Sequence, residues 1–593
     1  MRESPLQSFL RWLLANGVQG VGASDSKIAL FEGKGGERGV VSLQPIAAGE
    51  VAMRIPLRLA ITGQVEEGRE ASAEAQQPWS IRLAGRLLCM LSEGAPGPSA
   101  GTPGAYAAAG SAPLQCQAEK EEEGDVEEGA AAGDGEALLC GPSVAGRSIA
   151  ALQAGSASPW QPYLAVLPDC VPSPLTTFSW EDVQAIEYPP MRKTLDHASW
   201  LATSAAQQPG GSRFSREQWE WALSVVHSRT FGAPGPQGGV GVRMLVPLID
   251  MLNHAGDYVT SPPGAAADQP ALQAFDSVRW ELRAPAGPEG EWTMEVAAAR
   301  DIPAGQELLL SYGERANDDF FLHYGFVPPR NPHDQVALFT DIESTIDWWL
   351  DRHLPPGALP PQRLQAAINA AYSAAEDEDG AAMAAAQVLA AVPAEEAEVI
   401  RAELDTIKLS AGGMVDGRLL AAYRCLYEEA AAAGGRQHAG SELGGSWGEH
   451  ARLAVGARCR QILDGMPTPL LEDLQRLAEW ERQTGDVQHC WEAAQRHYSG
   501  AVDAYEAQRG GLHEQPSSSG GEAAAALPAA GGAQLLDAGA DAEFAQLLLA
   551  QARQAQQTAA PAGGGAIGGG QPMLPLIFRS YKKLCLWDAV LAE

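Results

Sequence analysis

Between residues 6 and 16 apolar side chains recur at three- and four-residue steps (Leu6, Phe9, Leu10, Leu13, Leu14), and Gly17 follows them. That spacing predicts an amphipathic helix stopped by a glycine. The same rhythm predicts helices over Pro78–Glu93 and over Phe214–Phe231, the latter with Ser215 as its cap. Shorter runs predict strands. Val40–Pro56 reads as two strands about an Ala-Gly turn, and Arg243–Ile249 as another. The Val40–Pro56 pattern returns at Asp301–Tyr312: Ile, a small residue, Ala-Gly, an acid or amide, then an apolar run. Two similar hairpins so far apart predict small sheets assembled from distant segments. Leu308–Ser311 then reads as a strand, and a Tyr-Gly turn leads into a short helix for which Asn317 is the expected N-cap. Phe320, Phe321 and Tyr324 share one side of that helix, and Gly325 sits where it can end left-handed.

After Asp334 the pattern turns helical and Ala-rich, near Ile346–Leu354, Pro361–Ala375, Ala381–Asp405, Arg418–Ala433 and Glu449–Ile462. These segments predict an all-α second domain. The last stretch, Leu574–Leu591, carries Arg579, Lys582 and Lys583 on a helical pattern and is expected to fold back onto that domain. Three tracts break the periodicity: roughly Gly94–Ala157, Gly232–Gly241 and Gly510–Gly570. Rich in small and polar residues, they cannot bury enough apolar surface to order themselves.

A chain of 593 residues exceeds a single core, and 45% apolar residues suffice for packed domains. The boundaries that follow are an N-terminal part over 1–93, a low-complexity insert over 94–157, a helical insert over 158–242, a strand-bearing part over 243–334, a helical domain over 335–508, a second low-complexity insert over 509–571 and a terminal helix over 572–593. Net charge is −33, much of it in solvated runs such as Glu119–Glu128. The acidic balance speaks against nucleic acid as a partner and says little about any pocket. The eight cysteines form no C-x-x-C pair, which argues against a zinc site or a disulfide framework and for a reducing compartment. No segment is long and apolar enough to span a bilayer, and no import or secretory leader is visible.

Chemistry is best placed at Val246–Asp257, VPLIDMLNHAGD, where Asp250, Asn253 and His254 follow a buried-looking apolar run. An acid, an amide and an imidazole there need partners. A capped turn or a satisfied core histidine meets that need as well. No second histidine stands at ligand spacing, no G-x-S-x-G elbow appears, and the glycine loop Gly33–Gly39 does not follow a strand in a βαβ unit.

In chain order, five stretches resemble the SET-domain protein methyltransferases, and within them the branch typified by Rubisco large-subunit lysine methyltransferase. They are Glu37-Arg-Gly-Val-Val41 with the Ile46–Glu50 turn; Trp160–Leu175; Ser228-Arg229-Thr-Phe231; Pro247-Leu-Ile-Asp-Met-Leu-Asn-His254; and Leu309-Leu-Ser-Tyr-Gly-Glu through Asn317 to Tyr324-Gly-Phe326. The helical remainder resembles that branch's substrate-binding domain, chiefly at Met466–Asp473 and in the terminal basic helix. The resemblance implies an α+β protein: a SET β-fold with a helical insert, then an all-α substrate-binding domain. It implies transfer of a methyl group from S-adenosylmethionine to lysine in a non-histone protein, with Tyr312 as the catalytic tyrosine. Tyr324 and Trp280 would line the lysine channel. Asn253 and His254 would hold the cofactor with Asp250 bracing their turn, Glu37 and Arg38 would form the first cofactor loop, and Ser228 and Arg229 would clamp its carboxylate.

There are departures. Trp280 stands where the Rubisco-type enzymes carry a channel tyrosine; it offers an apolar wall and a cation–π face. Gly36-Glu37-Arg38-Gly39 places the acid one residue later than the usual Glu-Gly-x-Gly, and Ala255 replaces a serine. Ile249 stands where the related actin-histidine methyltransferase has a tryptophan, which favours lysine as acceptor. Two rivals follow: a histidine methyltransferase of the actin type, and a catalytically inactive SET-fold protein-binding module. Other readings of single residues also stand, since Tyr324 and Trp280 suit a core and Arg229 suits a helix C-terminus. The expected partner is a lysine-bearing protein, the Rubisco large subunit or another plastid or cytosolic protein, acted on by a monomer. Kinship suggests the chloroplast, and the missing leader suggests the cytoplasm or an incomplete gene model.

Overall fold

The computed structural model describes residues 4–22, 26–32, 38–63, 77–93, 149, 152–153, 156–208, 211–233, 242–255, 257–260, 271–274, 276–285, 290–328, 331–376, 389, 394–411, 413–433, 446–470, 472–473, 476–477 and 574–591. Glu37, nearly all of the 94–157 tract, all of the 509–571 tract and most of 377–393 lie outside the described residues.

The first helix, α1 (Pro5–Ala15), is capped by Ser4 and ends before Gly17, which has φ +77°. Strands β1 (Ile28–Glu32) and β2 (Arg38–Ser42) pair antiparallel. β3 (Val51–Pro56) and β4 (Ile61–Thr62) follow, then α2 (Trp79–Glu93). A run of helices comes next: α3 (Gln161–Leu164), α4 (Pro174–Thr177), α5 (Trp180–Gln184), α6 (Pro189–Gln207) and α7 (Arg216–Arg229). In α7 the Ser215 hydroxyl accepts from the amide of Gln218, whose side chain answers the cap's own amide. Then come β5 (Thr230–Ala233), β6 (Val242–Leu245), β7 (Asn253–His254), β8 (Asp257–Thr260), β9 (Ala271–Ala274), β10 (Val278–Arg283), β11 (Thr293–Ala298) and β12 (Leu309–Leu310). The main sheet has the order β3-β11-β10-β12-β7, parallel only at the β10–β12 and β12–β7 pairs. Beside it are a three-stranded sheet, β4-β6-β5, and the β8–β9 pair.

The repeated hairpin finds its own copy. Ile46 and Ile302 exchange both backbone hydrogen bonds, at 2.9 and 2.8 Å. Gly49 and Gly305 take φ +80° and +81°, the left-handed turn that the shared Ala-Gly supplies. Around them Ser42 and Gly305, and Val40 and Leu308, are joined across more than 250 residues at 2.7 Å each. The last of these bonds delivers the chain into β12, on which the site depends.

A correction concerns the short helix after Tyr312. Ala316, not Asn317, is its N-cap, and Asn317 is the first residue of α8 (Asn317–Asp319). Asn317 is buried; its amide donates to Asp334 Oδ1 at 3.0 Å, its Nδ2 to Asp334 Oδ2 at 2.9 Å, and its Oδ1 accepts from Asn331 at 3.0 Å. A carboxylate seventeen residues on thus replaces the local cap. The helix widens to a π-turn over Phe320–Tyr324 and ends at Gly325 with φ +73°.

The later region is helical as expected, with one addition. It contains an antiparallel ladder, β13 (Gln335–Phe339) with β14 (Ile407–Ser410). The remaining elements are helical as expected: α9 (Ile342–His353), α10 (Pro361–Glu376), α11 (Ala394–Asp405), α12 (Gly417–Ala433), α13 (Trp447–Asp464) and α14 (Leu574–Leu591). Two hydrophobic cores result. The first joins α1, α2, α7 and the sheets. The second joins the later helices to Leu175, Phe178, Ile186, Tyr188, Met191 and Leu195 of the helical insert and to Phe321. The insert over 158–242 is therefore shared between the two cores.

Candidate functional site

Asn253 and His254 are brought to Tyr312 by one short parallel ladder, in which Leu309 pairs with Asn253 and Leu310 with His254. The chain enters β7 through Leu248, whose φ of +78° is strained for a branched side chain, and a 3-10 turn over Ile249–Met251. Two residues past the ladder, the Tyr312 amide donates to His254 Nδ1 at 3.2 Å, and the Tyr312 hydroxyl donates to the carbonyl of Leu252 at 2.8 Å. The rings of Tyr312 and His254 lie 4.9 Å apart, and Tyr324 stacks on the other partner, Tyr312, also at 4.9 Å. Phe320 packs against both His254 (4.6 Å) and Tyr324 (5.6 Å), and Phe326 closes the cluster 5.2 Å from Phe320. The result is an aromatic wall with one phenol fixed at its centre. Burial pushes the pKa of Tyr312 and of Tyr324 up, so both stay protonated at neutral pH.

Beneath the turn lies a polar group. Asp250 Oδ2 accepts from the Tyr163 hydroxyl at 2.8 Å, and Arg229 Nη1 donates to the Asp250 carbonyl at 2.6 Å. The Arg229 guanidinium stands 3.8 Å from the Asp250 carboxylate. Burial raises the Asp250 pKa to about 6 despite the nearby arginine. Two buried atoms here have no hydrogen-bond partner among the described residues, Arg229 Nε and Asp250 Oδ1. Asn253 Nδ2 donates to the Arg38 carbonyl at 2.8 Å and to Glu307 Oε1 at 2.7 Å, while its Oδ1 is left unpaired among the described residues. Arg38 sends its side chain away, to the carbonyl of Val166 at 2.5 Å and to Glu32.

The other expected residues are placed differently. The Ser228 hydroxyl donates back along its own helix to the Ser224 carbonyl at 2.7 Å. Trp280 packs edge-on against Phe231 at 5.7 Å. It lies two residues beyond Val278, which pairs with Leu310, just as Tyr312 lies two residues beyond Leu310. Ile249 is wholly buried in the first core. Two residues were missed. Tyr163 stood inside the Trp160–Leu175 stretch, and only its contact with Asp250 gives it a role. Arg315 follows the Tyr-Gly turn; its Nε donates to the Tyr312 carbonyl at 2.9 Å, and its guanidinium lies 5.9 Å from the centre of the Tyr324 ring. No group of three or more possible metal ligands occurs among the described residues.

No protein-family profile matches the chain. Over 193 residues it is 25% identical to the actin-histidine N-methyltransferases of Canis lupus familiaris and Mus musculus, and 24% identical to that of Homo sapiens. The match takes in 30% of this chain but only 29% of the dog protein's length and 28% of the mouse and human proteins'. Among solved structures, the SET domain of LSMT bound to lysine and AdoHcy aligns over 80% of this chain and 84% of that one, with TM-score 0.46 and 16% identity. Rubisco LSMT bound to AdoMet aligns over 81% and 85%, with TM-score 0.45 and 15% identity.

Proposed function

We propose that this chain is a SET-type, S-adenosylmethionine-dependent protein methyltransferase whose acceptor is a lysine of a non-histone protein. The observation that carries the reading is the β7–β12 ladder, which sets the Tyr312 phenol between the Asn253–His254 turn and the stacked ring of Tyr324. The donor set fits the amino-acid end of such a cofactor. Among the described residues, Arg229 has a buried N–H without an acceptor and Asn253 an amide oxygen without a donor. The first suits a carboxylate and the second an ammonium. Bound there, the cofactor supplies an electrophilic methyl on a sulfonium. The protein's own contribution is positioning and desolvation. A lysine ammonium, ordinarily near pKa 10.4, sheds water on reaching the Tyr324 side of the aromatic wall, which lowers its pKa and releases its proton to solvent. The Tyr312 hydroxyl already donates to Leu252, so its lone pairs are left to accept from the neutral amine and orient it. No strong base on the protein is required.

A histidine acceptor is the second reading, favoured by the 193-residue match to the actin-histidine enzymes. Incubating a lysate with the full chain and methyl-labelled S-adenosylmethionine, then hydrolysing the labelled proteins to amino acids, separates the two. Label in methyl-lysines supports the first reading and label in methyl-histidine the second. Absence of label on any protein favours a SET-fold binding module.

A further inference from the structure

The Tyr324 side of the aromatic wall carries a group of cations. Arg315 lies over Tyr324. On the neighbouring strand β6, the Arg243 guanidinium sits 5.2 Å from the Trp79 ring, which meets His227 edge-on at 5.2 Å. His227 stacks almost flat on His323, with ring centres 4.5 Å apart and planes 12° apart. Burial, and then the charge of Arg315, lower the His323 pKa to about 4; His227 is also lowered, by burial first and by His323, Arg243 and Arg315 after it. Both imidazoles are therefore neutral at physiological pH, and the charge of the group belongs to the two arginines. Arg315 has Asp319 at 3.6 Å. Arg243 has no carboxylate partner among the described residues, although it is exposed and lies across Gly232, where an added Cβ would meet its Nη1 at 2.7 Å. In a chain of net charge −33, a guanidinium that meets an aromatic ring and no carboxylate among the described residues is against the general balance.

A lysine approaching Tyr324 carries the same sign as this group and is repelled by it until it loses its proton. A carboxylate on the same substrate would remove the repulsion, and the planar guanidinium fork suits one. We infer that Arg243, assisted by Arg315, receives an aspartate or glutamate of the substrate protein, so that acceptor residues beside an acidic residue are selected. The inference rests on the methyltransferase reading and adds a substrate class to it: acid-flanked lysines. Arg243, without a carboxylate of its own among the described residues, also discriminates against basic flanks, since a second cation would be left unpaired.

The test uses the full chain, labelled S-adenosylmethionine and a peptide library with a central lysine and randomised flanks. Acidic residues at one flanking position are expected to be favoured over their amides by about tenfold, the size of a charge-assisted contact. With Arg243→Gln the acid-to-amide ratio is expected to fall to within about twofold of unity, while Arg243→Lys, which keeps the charge and loses the fork, retains part of it. Fluorescence anisotropy with a labelled Glu-flanked peptide and its Gln-flanked twin reads the same preference without turnover. Methyl transfer with no acidic preference, or a preference unchanged in Arg243→Gln, overturns the inference and leaves the methyltransferase reading standing. Acid-selective binding that Arg243→Gln abolishes, with no methyl transfer to any peptide, upholds the anion site and removes the methyltransferase reading. Equal binding of the twin peptides overturns the inference whatever the turnover.

Discussion

Tyr312 directs its hydroxyl proton to the Leu252 carbonyl, and everything proposed for it follows from that bond and the rings around it. Replacement by phenylalanine keeps the ring stack and removes one hydrogen bond, so the unfolding free energy should fall by no more than about 1–2 kcal/mol. Label transfer should fall by roughly a hundredfold to ten-thousandfold; transfer within twofold of wild type would remove Tyr312 from the chemistry. Asp250 offers a test by pH. Its folded pKa of about 6 lies above the ordinary carboxylate value, so the native state holds its proton more tightly than the unfolded chain does. Its contribution to stability is therefore full below the unfolded pKa and is lost as pH rises to about 6. Asp250→Asn should gain on wild type over that window, by up to about 3 kcal/mol, and hold the gain at pH 8. Thermal midpoints of both proteins from pH 4 to 8 check it, and a constant difference would mean that the burial cost is already met. At this scale the resemblance singled out Tyr312, Asn253 and His254, and the short ladder brings the three together. The sequence was silent on Tyr163, whose meaning lies in a hydrogen bond to Asp250 87 residues away, and on Arg243, which sits over the distant Trp79 ring; no local spacing encodes either.

At the scale of elements, the repeated Ala-Gly hairpin was legible because a left-handed turn needs its glycine, and both copies carry it at Gly49 and Gly305. That the two copies bond to each other, Ile46 to Ile302, is visible only in the fold. The helix start at Asn317 was misread for a physical reason: an asparagine ahead of a helix is a good cap, yet here Asp334 caps from a distance and Asn317 is drawn into the helix. The far end of that helix was readable, since Gly325 is both left-handed and pressed against a neighbour. A Cβ at Gly325 would come within 1.4 Å of the Pro172 carbonyl oxygen, whereas at Gly305 it would meet nothing within 4 Å. Gly325→Ala should accordingly cost at least about 3 kcal/mol and displace Tyr324, and Gly305→Ala only about 1–2 kcal/mol from its backbone conformation. Chemical denaturation of the pair checks the order; equal losses would contradict the close approach to Pro172.

At the scale of the molecule, the terminal helix ties the second core to the site. Phe578 stacks on Phe321 at 4.3 Å, next to the π-turn that bears Tyr324. Lys582, fully buried, reaches Asp318 and also donates to Asp334 Oδ1 and the Gln335 carbonyl, both at 2.6 Å. Lys583 and Arg579 meet Asp473 at 2.6 Å each. The helical pattern of Leu574–Leu591 and its return onto the helical domain were plain in the sequence; the burial of its three cations was not, because the acids that meet them, Glu187, Asp318, Asp334 and Asp473, lie in four separate segments. Lys582→Met leaves Asp334 buried without a cation and should cost about 3–5 kcal/mol, measured by denaturation of the full chain. A loss under about 1 kcal/mol would mean that the helix docks by its apolar face alone.

Titration of S-adenosylmethionine into the full chain and into Asn253→Ala, followed by calorimetry, tests the donor site most directly. One-site binding by the wild type and a dissociation constant raised about tenfold or more in the variant are expected, the size of a lost charge-assisted hydrogen bond. No heat with either protein, or the same affinity in both, would contradict a methyl-donor site at the Asn253–His254 turn.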